Sequence, residues 1–188
     1  MEVEQTSLPG VLLIKPKVFG DARGFFLETY SASRYQAAGI EAEFVQDNSS
    51  RSSKGVLRGL HYQLQYPQGK LVSVNRGEVF DVAVDIRMGS PTFGQWYGVV
   101  LNDTNHHQLY VPPGFAHGFV VMSDVVDFSY KCTDYYHPDD EQGVRWDDPV
   151  INIQWPIKTP VMSEKDRVNP LLESQVTNKC LPDYERLS

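Results

Sequence analysis

The sequence predicts an all-β fold of the jelly-roll type, and three observations carry that expectation. Its 14 glycines and 12 prolines are spread evenly along 188 residues, with no linker-like cluster, repeat or low-complexity tract. Between them lie short runs rich in β-branched and aromatic residues, the pattern of strands closed by turns. Only residues 32–38, stopped by Gly39, read clearly as a helix. Many strands and almost no helix at this length favour packed antiparallel sheets over an α/β architecture.

Taken in order, strands are expected at residues 11–14, 24–30, 43–49, 56–63, 70–76, 78–87, 95–101, 108–111, 118–122, 125–133 and 151–153. The 78–87 run alternates most clearly, with Phe80, Val82, Val84 and Ile86 on one face and Val79, Asp81, Ala83 and Asp85 on the other. A second short helix is expected at or after Ser163-Glu164-Lys165-Asp166, with Ser163 as its cap. All of this fits one domain over residues 1–188.

Composition narrows the function. Hydrophobic residues make up 41% and aromatics 12%, enough to offset the ordering entropy of a folded core. The formal charge of −7 argues against a general nucleic-acid binder, which needs a basic surface to release counterions. A few Arg and Lys side chains converging on one anionic ligand remain compatible with it. Cys132 and Cys180 read as free thiols of a reducing compartment rather than a disulfide framework. The start, Met1-Glu2-Val3-Glu4-Gln5, lacks the basic and apolar stretches of a signal peptide. No run approaches the roughly 20 apolar residues of a membrane helix. A cytoplasmic protein is the expectation.

Three segments hold chemistry. Leu57-Arg58-Gly59-Leu60-His61-Tyr62-Gln63 sets a cation and an imidazole three residues apart on a predicted strand. Strict alternation would send Arg58 and His61 to opposite faces, so a bulge at Gly59 is required to bring them together. Val111-Pro112-Pro113-Gly114-Phe115-Ala116-His117-Gly118-Phe119 resembles the second metal motif of the cupin superfamily. The first cupin motif needs two close histidines and a Glu, and Leu60-His61-Tyr62-Gln63-Leu64 supplies one histidine only. His106 and His107 are adjacent and would diverge on a strand, so a facial-triad metal site is not expected. Tyr130-Lys131-Cys132-Thr133-Asp134-Tyr135-Tyr136-His137-Pro138 adds phenols, which serve either as strand aromatics or as acids inside a cavity.

Other segments complete the pattern: 17–26 (Lys-Val-Phe-Gly-Asp-Ala-Arg-Gly-Phe-Phe), Phe44-Val45-Gln46-Asp47-Asn48, 77–85 (Gly-Glu-Val-Phe-Asp-Val-Ala-Val-Asp) and Trp146-Asp147-Asp148-Pro149. In this order, from about Leu8 to Asp166, they closely resemble the dTDP-4-dehydrorhamnose 3,5-epimerase family. The resemblance implies a cupin-type jelly roll acting as a homodimer, without metal or organic cofactor, on a dTDP-4-keto-6-deoxysugar. It implies that His61 is the proton acceptor, paired with Asp166, and that Tyr130 is the proton donor. Arg58, Lys70 and His117 match positions around the sugar and its ketone. Arg23, Glu28, Gln46, Asp47, Asn48, Glu141 and Lys165 match positions that hold the nucleotide. The tail after about Leu172 falls outside the resemblance and receives no role.

The implied chemistry suits these residue types. A C4 ketone acidifies the hydrogens on carbons 3 and 5, and removal of either leaves an enolate that can be reprotonated from the other face. An imidazole, ordinarily of pKa about 6.5, suits such a step near neutral pH. A carboxylate behind it fixes the tautomer. Lys70 and Arg58 are candidates to hold the enolate oxygen, and Arg23 and Lys165 to hold the diphosphate. Phe19, Phe26, Tyr135 or Tyr136 is available to stack on the thymine. Single-centre epimerases and 3,4-ketoisomerases of the same fold are the nearest rivals. A metal-dependent cupin oxygenase lacks ligands here, and a non-catalytic sugar-binding roll would not need His61, Asp166 and Tyr130 together.

Overall fold

A computed structural model describes residues 1–187. The chain runs β1 (Glu2–Gln5), β2 (Leu12–Lys15), β3 (Val18–Asp21), β4 (Gly24–Leu27), α1 (Ala32–Ala37), β5 (Gln46–Ser53), β6 (Leu57–Gln63) and β7 (Lys70–Arg76). It continues through β8 (Glu78–Asp85), β9 (Trp96–Asn102), β10 (Gln108–Val111), β11 (Phe115–Val121), β12 (Val125–Cys132), β13 (Glu141–Gly143), α2 (Glu164–Arg167) and α3 (Leu172–Thr177). One sheet has the order β1-β2-β10-β7-β12-β5 and the other β13-β6-β11-β8-β9, while β3 and β4 form a separate hairpin. Every pairing between these strands is antiparallel, as expected of a jelly roll.

Period-two alternation explains the three layers of apolar packing. Between the sheets, Val72 and Val74 of β7, Val79 and Ala83 of β8, Phe119 of β11 and Phe128 of β12 share one core. The opposite face of β8 is equally apolar: Val82, Val84 and Ile86 pack under Ile151, Ile153, Leu172 and Leu181. So the clearest alternating strand is buried on both sides, and its acid-bearing face is the one that looks into the roll. Outside the other sheet, Tyr35 of α1 and Ile40 cover Leu12, Ile14, Leu71 and Tyr110. Truncating any of these fully buried aliphatics to Ala costs roughly 2–5 kcal/mol.

Several boundaries differ from expectation for physical reasons. The 24–30 run is half of a hairpin, because Val18–Asp21 pairs with Gly24–Leu27. Polar β5 extends to Ser53 since it matches β12 residue for residue, from Gln46 opposite Cys132 to Ser53 opposite Val125. Residues 151–153 are not a strand. Asp148 accepts the backbone N–H groups of Val150 and Ile151 at 2.9 and 3.0 Å, and Asn152 has φ 51°, so the chain turns while Ile151 and Ile153 stay buried. α2 is the Ser163–Asp166 segment itself: the Ser163 hydroxyl accepts from the Asp166 N–H at 3.1 Å.

The tail is built into the fold. Asp148 also accepts the Leu172 N–H at 2.8 Å at the start of α3, which explains the carboxylate in the Trp146–Pro149 motif. Gln175 donates to the Gly143 carbonyl at 2.9 Å, and Tyr62 donates to the Cys180 carbonyl at 2.7 Å. Further on, the Arg87 guanidinium lies 4.2 Å from the Phe115 ring and 4.9 Å from the Tyr184 ring. Asp85 is fully buried and holds that guanidinium at 2.8 and 2.9 Å.

Candidate active site

A cavity of about 780 Å³ opens between the two sheets. Its floor and walls come from β5, β6, β7, β11 and β12, and its rim from β13, α2 and the loop at Tyr136. A volume of this size suits a ligand larger than a lone sugar.

Arg58 and His61 both line this cavity, despite their odd spacing. The β6–β11 register shows how: His61 pairs with His117 and Arg58 with Phe119, so three steps on β6 match two on β11. The extra residue is a bulge at Gly59–Leu60, as the spacing required. Gly59 sits at φ 108°, and a Cβ there would lie 2.5 Å from the His117 carbonyl oxygen. Only glycine fits that approach.

His61 Nε2 lies 2.6 Å from Asp166 Oδ1. An ionised carboxylate accepts only, so Nε2 carries the proton and Nδ1 keeps a free lone pair. Burial works to raise the Asp166 pKa, but the hydrogen bond and charge of His61, with the Ser163 hydroxyl and Gly59 N–H, hold it below the usual carboxylate range. On the other side of the ring, Glu141 Oε1 stands 3.7 Å from Nδ1. Glu141 Oε2 accepts from Tyr136 Oη at 2.8 Å and pairs with Lys165.

Tyr130 projects into the cavity from the facing sheet, paired with Val72 and Asn48. Burial pushes its phenol up, Cys132 and Glu141 add to the rise, and Arg58 opposes it. It is therefore a protonated donor at neutral pH. Lys70 lines the same wall, where burial draws its ammonium down against the opposing influence of Cys132, Glu141 and Asp81. Arg58 is steadied by donating from Nε to Ser52 Oγ at 3.1 Å. His117 is fixed by both oxygens of Asp81, each 3.0 Å from Nε2.

Gln46 and Asn48 also line the cavity and are joined by a 3.1 Å hydrogen bond. Asp47, between them, points out by alternation and pairs with Lys131 at 3.0 Å, so it does not join this site. Arg23 and Glu28 lie outside the cavity as well. Arg23 is on the hairpin turn, 90% exposed and bonded to Asp21, and Glu28 is 3.4 Å from Arg34.

Asp81 and Gln63 are the functional neighbours that sequence reasoning did not assign to the site. Asp81 shares with Asp85 an otherwise apolar, fully buried strand face, a signal visible in the alternation itself. Gln63 bonds Tyr66, Tyr135 and His137 backbone atoms at 2.6, 3.2 and 2.9 Å, and so shapes the loop that carries Tyr136 to the rim. That long-range role has no local sequence signature. Among the described residues, no group of three His, Cys, Asp or Glu side chains is arranged to hold a metal ion.

An antiparallel roll with a histidine–aspartate pair on one sheet, a phenol on the other and cations between them defines a class of acid–base protein with an anionic ligand. The comparisons refine this. The family model described as dTDP-4-dehydrorhamnose 3,5-epimerase matches residues 5–174, and the chain belongs to that family. The dTDP-4-dehydrorhamnose 3,5-epimerase of Shigella flexneri is 56% identical over 168 residues, covering 88% of this chain and 93% of its own. A dTDP-6-deoxy-D-glucose-3,5-epimerase from Legionella pneumophila Philadelphia 1, solved with dTDP-4-keto-L-rhamnose, is 54% identical with a TM-score of 0.94, covering 97% of this chain and 98% of that one. A 3'-monoepimerase from Streptomyces bikiniensis, solved with dTDP-quinovose, is 31% identical with a TM-score of 0.91, covering 96% and 92%.

Proposed function

We propose that the chain is a dTDP-4-dehydrorhamnose 3,5-epimerase, inverting carbons 3 and 5 of dTDP-4-dehydro-6-deoxy-D-glucose to give dTDP-4-dehydro-L-rhamnose. The observation that carries this is the approach of His61 and Tyr130 from facing sheets into one cavity. A sugar ring held between them has a base on one face and an acid on the other, as inversion demands. His61 Nδ1 takes the proton, and the electron pair passes to the ketone oxygen as an enolate. Lys70 and Arg58 supply donors around the place for that oxygen, with His117 in the wall beside them, where desolvated donors contribute most. Tyr130 then protonates the carbon from the opposite side. Lys165, Gln46 and Asn48 lie towards the nucleotide end, and Tyr136 offers its ring there for stacking on thymine.

The working unit in this reading is a homodimer. Phe19, Phe25 and Phe26 on the β3–β4 hairpin are 54%, 61% and 70% exposed, an apolar surface that a monomer would not leave uncovered. The same hairpin carries Arg23, which lies outside its own chain's cavity and, by exchanging its exposed Asp21 partner, reaches the partner's. Mixing Arg23→Ala with His61→Ala chains then restores about a quarter of wild-type activity, because half the sites of each mixed dimer are intact. No restoration places both residues in one chain.

Deuterium counting tests the reaction. In heavy water, NMR of the product shows two deuteriums, at carbons 3 and 5. The likeness to a monoepimerase supports one rival, which gives a single deuterium; none rejects epimerisation.

A further inference from the structure

The reaction has a stoichiometric demand that one base and one acid do not meet alone. After the first inversion His61 carries the abstracted proton and Tyr130 has lost its own. Both groups must be reset before the second carbon is inverted, while the bound sugar lies between them and blocks direct transfer from one to the other. We propose that Glu141 is the outlet for the His61 proton, passing it from Nδ1 to solvent at the cavity rim between the two inversions. This rests on the double-epimerase reading above.

The geometry is that of a two-ended carboxylate. Gly143 on edge strand β13 pairs with His61, and Glu141 pairs with Gln63, so the Glu141 side chain reaches the rim beside the imidazole. Its Oε1 faces His61 Nδ1 at 3.7 Å and has no closer partner among the described residues. That is roughly 0.8–1 Å beyond a charge-assisted N–H···O bond. With Nδ1 unprotonated there is no hydrogen to share, and the gap persists. Once Nδ1 bears a proton, a small ring movement closes it. The other oxygen, Oε2, already meets Tyr136 Oη and Lys165 Nζ, whose residues are exposed to solvent.

Two carboxylates stand beside the His61 ring, and of these only Glu141 faces Nδ1. Asp166 is committed to Nε2. Tyr130, a phenolate at this stage, stands on the far face of the bound sugar, and Asp81 holds the His117 Nε2. Burial favours protonated Glu141, yet the bond from Lys165, the charge of His61 and the Tyr136 hydroxyl lower its pKa overall. It therefore relays a proton rather than storing one. The proton balance is complete. The substrate C–H proton goes to Nδ1, then to Oε1, then to water, while the Tyr130 phenolate recovers a proton from solvent after supplying one to carbon.

The test follows singly and doubly inverted sugar nucleotide by NMR in heavy water, at saturating dTDP-4-dehydro-6-deoxy-D-glucose. In Glu141→Gln the second inversion slows by about 10²-fold or more relative to the first, the scale of a lost acid–base group, whatever the substitution does to binding. Singly inverted product therefore accumulates, and added formate relieves it. Glu141→Asp keeps the charge beside Lys165 but widens the gap to His61, and shows a smaller accumulation, so the outlet is testable even if the Gln variant folds poorly. Equal slowing of both inversions, or a rise in KM alone, overturns the proposal and leaves Glu141 as a binding residue. Absence of deuterium in wild-type product rejects the epimerase reading itself and is a separate outcome.

Discussion

His61 and His117 face each other across β6 and β11, and each is tied through Nε2 to an aspartate, yet the two pairs are built for different ends. Asp166 comes from α2, 105 residues away, and offers one oxygen at 2.6 Å to a ring whose side chain is 26% exposed. Asp81 comes from neighbouring β8, is fully buried, and grips its histidine with both oxygens at 3.0 Å. His117 also stacks near Phe128, with 6.3 Å between ring centroids. The first arrangement leaves a nitrogen free to take a proton in the cavity. The second locks the ring in the wall. A histidine–aspartate pair is thus not a catalytic base by composition; what faces its other nitrogen decides.

That contrast predicts unequal consequences. Asp166→Asn gives the largest loss of kcat after removal of His61 itself, about 10²–10⁴-fold in steady-state assays. An amide donor towards Nε2 would move the ring proton to Nδ1 and occupy the basic site. A loss smaller than tenfold would make Asp166 a structural neighbour only. Tyr130→Phe, on the facing sheet, slows inversion more than solvent exchange, by about 10²-fold in product formation. Equal inversion rates in variant and wild type would remove Tyr130 from the mechanism.

Asp81→Asn acts mainly on stability. Replacing the buried carboxylate that holds His117 costs about 1–3 kcal/mol, read from urea unfolding, with less effect on kcat than Asp166→Asn. The reverse ranking would erase the distinction between the two pairs. The smallest effect is one of pH. The folded Asp166 pKa is lowered, so its stabilisation is complete above the unfolded value of about 3.9 and is lost as pH falls through the lower folded one. Asp166→Asn therefore flattens the acid limb of stability against pH; an unchanged limb contradicts the assignment.

Local patterning made the strands legible: β7 and β10 fall on their expected ends, and β8 within two residues. Short polar β13 and the β3 half of the hairpin were not, because their pairing partners rather than their own residues define them. Ile151 and Ile153 imitated a strand because buried loop residues are apolar too. In the site, the bulge at Gly59 was legible as a requirement: two cavity residues at odd spacing need one extra residue. Asp166 became visible only through the family pattern, since nothing around Ser163 distinguishes a catalytic carboxylate from a capped, solvated helix start. The arrangement of Glu141 between His61 and the rim is tertiary and was not legible at all.

The central claim is that His61 Nδ1 removes the proton beside the ketone. Solvent-deuterium incorporation into dTDP-4-dehydro-6-deoxy-D-glucose by His61→Ala, at saturating substrate, tests it most directly. The account predicts no incorporation above the uncatalysed background at carbons 3 and 5, in a variant that folds and binds nucleotide. Incorporation at the wild-type rate would contradict it.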